Sequence, residues 1–300
     1  MRITVLFLSL VFAGFCWADS IIKNPNYGSG DGWSSSNPNG VIGDLTDYDI
    51  KDALLSYSTV SGVSYVTLEV QFDYGFYSGV TSSSLPAYTD AGFSLTAGDM
   101  LFFDPSNPTV MSYGVELSPT AHATYDINGS TTSSSSYSKA GTTLTQGTLY
   151  SINNGVSNQP GVLDAQEALM ATDKSDPCSS TTSPCYRADQ NVWINNVNGT
   201  GTSTPDYSIS IAPDATGGPT SADPLMDVSV KFSMSALQTT DPGFYSLLTA
   251  GKLGFTFASA DCANDVLTGV FATPEPSSLL LAAGGLLLAG LGLIRRKRAA

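Results

Sequence analysis

The sequence predicts a mainly β protein: a single antiparallel β-sandwich of the jelly-roll or lectin-like kind, with one or two short helices and a C-terminal transmembrane helix. Three observations lead there. The longest patterned segments alternate apolar and polar residues at period two, as half-buried strands do. Clusters of Gly, Pro, Asn and Asp separate those segments. The acids of the 300-residue chain are 22 aspartates against 4 glutamates, a skew toward turns and caps and away from helix interiors.

The first element is not part of the fold. Met1 and Arg2 form a short positive start, Ile3 to Phe15 is apolar, and Cys16 and Ala18 place small residues at −3 and −1 of a cleavage site after Ala18. That is the layout of a secretory signal peptide over 1–18. A lipoprotein reading through Cys16 is disfavoured by bulky Phe15 just before it.

The body, 19–273, is read as one β-sandwich domain, since neither a fixed-period repeat nor a linker divides it. In "SYVTLEVQFDY", Val66, Leu68, Val70, Phe72 and Tyr74 share one face; in "MDVSVKFSM", Met226, Val228, Val230, Phe232 and Met234 do the same. Shorter strand candidates are Asp52–Ser58, Met100–Asp104, Met111–Leu117, Thr148–Ile152, Asn191–Ile194, Tyr207–Ile211 and Leu253–Ala258. "DPGFYSLLTAG" reads as a helix, with Asp241 as cap, Pro242 at the first position and Gly251 at the end; Phe244, Leu247 and Leu248 share a face that could plug the sandwich. "LDAQEALMA", Leu163–Ala171, is a weaker helix candidate, and Ser130–Ser138 is a low-complexity loop.

The body holds seven basic residues against 25 acidic ones, a net charge of −18. Nucleic acid is therefore excluded as a partner by long-range repulsion. Aspartate-rich loops would also suit calcium, but solvated aspartates that keep an exported protein soluble account for them more simply. No cofactor is assigned, and calcium stays an alternative. Cys178 and Cys185 in "CSSTTSPC" are expected to pair in an oxidising compartment, leaving Cys262 as a small buried residue.

Catalytic patterns are thin, and no catalytic residue or metal ligand is assigned. The one histidine, His122, has no G-x-S-x-G nucleophile turn to serve, and one His with scattered Cys has no zinc spacing. The body's glutamates, Glu69, Glu116 and Glu167, lack the close spacing that a glycan hydrolase's paired carboxylates need; Glu69 falls on the outer face of its strand. A binding reading has more to stand on. "NPNYGSGDGWSSSNPNG" sets Tyr27, Asp31 and Trp33 in one loop, an aromatic platform beside a carboxylate. "GDLTDYDIKD" gathers Asp44, Asp47, Asp49 and Asp52, and "SADCANDVLTG" places Asp261 and Asp265 around Cys262. Trp193 reads as a core residue.

The last element is 274–300. Ser277 to Ile294 is 18 residues without a charge, long enough to span a bilayer as a helix. Arg295, Arg296, Lys297 and Arg298 follow and mark the cytoplasmic side. Pro274, Glu275 and Pro276 precede the span, and two prolines keep the backbone there extended. This order of Pro-Glu-Pro, apolar span and basic terminus resembles the PEP-CTERM sorting signal of Gram-negative bacteria, although Thr273 stands where that family often has Val. The resemblance implies recognition by exosortase, a membrane protease that cleaves near the motif. The chain would be exported, tethered transiently to the inner membrane, and then released to the cell surface or matrix. The body also resembles a set of secreted PEP-CTERM proteins of unassigned function that carry "FASA-C-AND-V" before the tail, here Phe257 to Val266. The expectation is a non-enzymatic surface or extracellular-matrix protein. Its rival is a glycan-binding, calcium-dependent module adhering to exopolysaccharide; a glycan hydrolase stands behind both.

Overall fold

The structure is a computed structural model that describes residues 19–25, 27, 41, 49–73, 88–90, 93–95, 98–117, 144–155, 161–164, 190–204, 206–213, 224–258, 263 and 265–272. The signal segment, the sorting tail, His122, Glu167, Asp31, Trp33, Cys178, Cys185 and Cys262 lie outside the described residues.

Strands run β1 (Ser20–Lys23), β2 (Ile50–Val60), β3 (Val63–Asp73), β4 (Tyr88–Asp90), β5 (Phe93–Leu95), β6 (Met100–Phe103), β7 (Met111–Val115) and β8 (Thr148–Ile152). Then follow β9 (Val162–Asp164), β10 (Asn191–Ile194), β11 (Val197–Ser203), β12 (Asp206–Pro213) and β13 (Pro224–Ser233). Helices α1 (Met234–Thr240) and α2 (Pro242–Thr249) precede β14 (Leu253–Ala258) and β15 (Val266–Phe271). The fold is mainly β, as the alternation predicts, and the sheets are antiparallel. A first sheet has the order β1-β2-β3-β13-β12 and a second β11-β8-β7-β6-β14-β15, while β9–β10 and β4–β5 form two-stranded pairs.

The two sheets share one core. Val66, Leu68, Val70 and Phe72 of β3 and Met226, Val228, Val230 and Phe232 of β13 bury their side chains against Met100, Phe102, Phe255, Phe257 and Phe271 of the other sheet. Phe72 and Phe257 meet across the gap with ring centroids 5.1 Å apart. The arrangement is that of a β-sandwich, each inner face supplied by every second residue.

Only the first sheet is one-sided. In the second, β6 and β14 are buried at every position, because the β9–β10 pair covers its outer face. Ile194 of β10 joins Leu101, Phe103, Met111, Tyr150 and Ile152 in a second apolar cluster there. Gly114 makes this approach feasible, since a Cβ on it would lie 2.8 Å from Ile194 Cδ1.

Two helix readings change. The strand continuing to Met234 stops at Ser233, whose hydroxyl caps α1 by accepting the Ala236 N–H. The Leu163–Ala171 helix starts wrongly: Leu163 and Asp164 belong to β9, paired with β10, and the rest lies outside the described residues. By contrast α2 forms with Pro242 in its first turn, and Phe244 and Leu248 plug the sandwich core.

Candidate functional site

Three of the stretches singled out in the sequence converge on one place. Asn24 follows β1 and leads into the turn that carries Tyr27. Asp49 precedes β2, and Asp265 precedes β15. The Asn24 side-chain amide donates to Asp49 Oδ1 at 3.3 Å and to Asp265 Oδ2 at 3.4 Å. Asp265 Oδ2 also accepts the Ile50 N–H at 2.8 Å, and its Oδ1 accepts the Val266 N–H at 2.8 Å. Asp49 and Asp265 are buried, 0% and 1% exposed. Burying a carboxylate is costly unless its oxygens are hydrogen-bonded, and here both sheets contribute partners. The site therefore staples the edge strand β1 and the start of β2 to the start of β15. Half-buried Tyr27 sits in the turn just beyond Asn24; its expected companions Asp31 and Trp33, like Asp44, Asp47 and Asp261 of the other two stretches, lie outside the described residues.

Sequence reasoning missed the second buried carboxylate clip. Asp99 precedes β6 and is fully buried. Its Oδ1 accepts the Leu117 N–H and its Oδ2 the Ile194 N–H, both at 2.8 Å. Asp99 thus fastens the β9–β10 layer to the end of β7. Glu116, which the sequence left open, is likewise fully buried. Trp193 is a core residue, as expected.

A third group lies on the outer face of the first sheet. Register places Asp52 beside Gln71 and Gln71 beside Asp227, with Glu69 two residues from Gln71 along β3. The Gln71 amide donates to Glu69 Oε1 at 3.4 Å and to Asp227 Oδ2 at 3.5 Å. Partial burial raises the Glu69 carboxyl above its ordinary range, and the Asp227 and Asp52 carboxylates push it the same way. Partial burial also raises Asp52, against the pull of Lys51 and Lys23. It raises Asp227 as well, opposed by the Gln71 hydrogen bond. Lost hydration of the half-buried carboxyls is the main cause, and repulsion between like charges adds to it at Glu69 and Asp227. Glu69 falls on the outer face, as its strand position predicted.

At the helix end, Asp241 accepts from the Thr202 hydroxyl, which also meets the Thr240 hydroxyl. Asp241 was expected to cap α2 and holds that position, but its side chain makes no cap hydrogen bond there; it ties the helix pair to β11 instead. Among the described residues no group of three His, Cys, Asp or Glu side chains could hold a metal ion. Compared with protein-family models, curated proteins and solved structures, the chain matches none.

Proposed function

We propose that this chain is an exported surface or extracellular-matrix protein, sorted and processed by exosortase, with no catalytic activity of its own. One observation carries the reading: Pro274, Glu275 and Pro276, the 18-residue uncharged span and the basic cluster Arg295–Arg298 follow one another in sorting-signal order. The fold is compatible with that role. The last strand among the described residues ends at Phe271, with only Ala272 and Thr273 between it and the motif in the sequence, and a protease needs extended chain free of ladder pairing. The buried carboxylates Asp99 and Asp265 hold backbone N–H groups, which is structural work.

The test is the intact mass of the secreted form, from the native host with and without exosortase. Release with a C-terminus within 273–276, lost in the exosortase-deficient strain, supports the reading. A full-length C-terminus retained in the membrane of both strains makes the tail a plain anchor.

A second reading, a glycan-binding module for exopolysaccharide with calcium as its ion, is favoured by the convergence of the Asn24–Tyr27 turn with Asp49 and Asp265. Titration with a matrix polysaccharide panel, with and without calcium, tests it through tyrosine and tryptophan fluorescence. An unchanged spectrum across the panel removes it.

A further inference from the structure

Three features leave the sandwich at the same end. Strands β2 and β15 both begin at the Asp265 staple, where Asp265 accepts the Ile50 N–H, and run away from it together. β1 lies between their paths and runs the other way, with Ile22 against Gly269: a Cβ on that glycine would lie 2.7 Å from the Ile22 side chain. Ser20, one residue after Asp19, and Phe271 are thus level at the pole opposite the staple. The same pole carries the tip of the β2–β3 hairpin. Asp19 is the first residue after the cleavage site read from the sequence, and Phe271 is the last strand residue before the sorting motif. Both hydrophobic segments of the precursor, 1–18 and 277–294, would therefore be joined to one pole of the body.

The hairpin overhangs that pole. Ser20 pairs with Leu55, and β2 continues to Val60, which pairs with Val63 across a Ser61–Gly62 turn. Five residues of strand extend about 17 Å. The tether has a matching reach: five residues, Ala272 to Pro276, separate Phe271 from the span, and extended chain of that length covers at most about 18 Å. At full reach that tether lets the hairpin tip meet the surface of a bilayer that the span enters.

The tip is chemically suited to that surface. Val60 and Val63 are 51% and 40% exposed, and residues 53–68 hold no charge in a chain of net charge −14. Below the tip Tyr65 lies under the Lys231 ammonium, 4.9 Å from Nζ to ring centroid, a pairing of residue types that favour the interface. Among the described residues, Asp19 and Asp206 stand back from the tip: Asp19 accepts the Tyr57 N–H and Asp206 pairs with Lys231, several residues below Val60 and Val63. We propose that while the chain is tethered, Val60 and Val63 rest on the lipid surface that the C-terminal span enters, orienting the body over its own sorting motif. The proposal rests on the tether reading above.

The test is photo-crosslinking of the full-length chain in exosortase-deficient cells, with benzoylphenylalanine at Val60, at Val63, or at exposed Thr145, which lies ahead of β8 in the other sheet. Carbonate-washed membranes report retention in parallel. Phospholipid adducts at 60 and 63, severalfold above those at 145, are the expected result. Retained chain with protein adducts only, or with no adduct above the 145 control, overturns the hairpin contact and leaves the tether intact. Chain absent from the washed membranes overturns the tether reading and the contact with it.

Discussion

At the residue scale, the buried aspartates govern stability through the N–H groups they hold. Asp99→Ala strands the Leu117 and Ile194 donors in an apolar setting. Each unsatisfied buried group costs about 1–3 kcal/mol, so urea denaturation should show a loss of about 2–6 kcal/mol for the two donors. Asp99→Asn, which keeps one acceptor oxygen, should fall between. The acidic row on the outer face behaves differently. Asp52, Glu69 and Asp227 have folded-state carboxyls raised above their ordinary values of 3.8 and 4.5, so the native state holds protons more tightly than the unfolded one. That contribution is fully present below the ordinary values and lost as pH rises through the raised ones. Glu69→Gln should therefore flatten the fall in stability just above the ordinary carboxylate range and raise the midpoint at neutral pH. The effect is softened by water, since the row is half exposed. An unchanged pH profile in the variant would show that the repulsion is fully screened.

At the element scale, the strands divide by how many of their faces are covered. β3 and β13 alternate because one face is open, and their alternation is plain in the sequence. β6 and β14 are short, nearly continuous apolar runs because a second layer lies over them; both were read as strands, but no local pattern shows what covers the second face. Two glycines test the geometry by separate mechanisms. Gly62→Ala places a side chain at φ +82° in the hairpin turn with nothing within 4 Å, so its cost is conformational, about 1–2 kcal/mol. Gly114→Ala drives a methyl group into Ile194, an overpacking cost of about 1–3 kcal/mol. Ile194→Val shortens the opposing side chain and should recover part of the loss only in the Gly114→Ala background. Thermal melts of the two pairs of variants distinguish these outcomes.

At the scale of the whole molecule, charge and connectivity decide behaviour. A body of net charge −18 repels itself, and salt screens that repulsion. Raising ionic strength from low to physiological should therefore raise the melting temperature of the body; a fall would mean that attractive ion pairs dominate. Connectivity decides which strand ends meet. The Asp265 staple fixes where β2 and β15 begin, and so fixes the direction in which both run.

How much of this is legible in the sequence follows from the range of each interaction. Alternation is local, so β2, β3, β12 and β13 could be read from their own residues. The Asp-Pro start and Gly end of α2 could be read the same way. β1, β4, β5, β9, β11 and β15 escaped: the first four are very short, the Gly-rich β11 carries a bulge with Gly199 and Gly201 at positive φ, and β15 alternates only weakly. The addresses at both ends are also local patterns of charge and hydropathy, and the sorting expectation comes from them alone. What tertiary structure decided are the long-range pairings. Asp265 meets Asn24 and Ile50 across more than 200 residues of chain, and Asp99 meets Ile194 across 95. An aspartate in a turn and an aspartate buried as a clip look alike in sequence, because burial and hydrogen-bond partners exist only once distant strands are brought together.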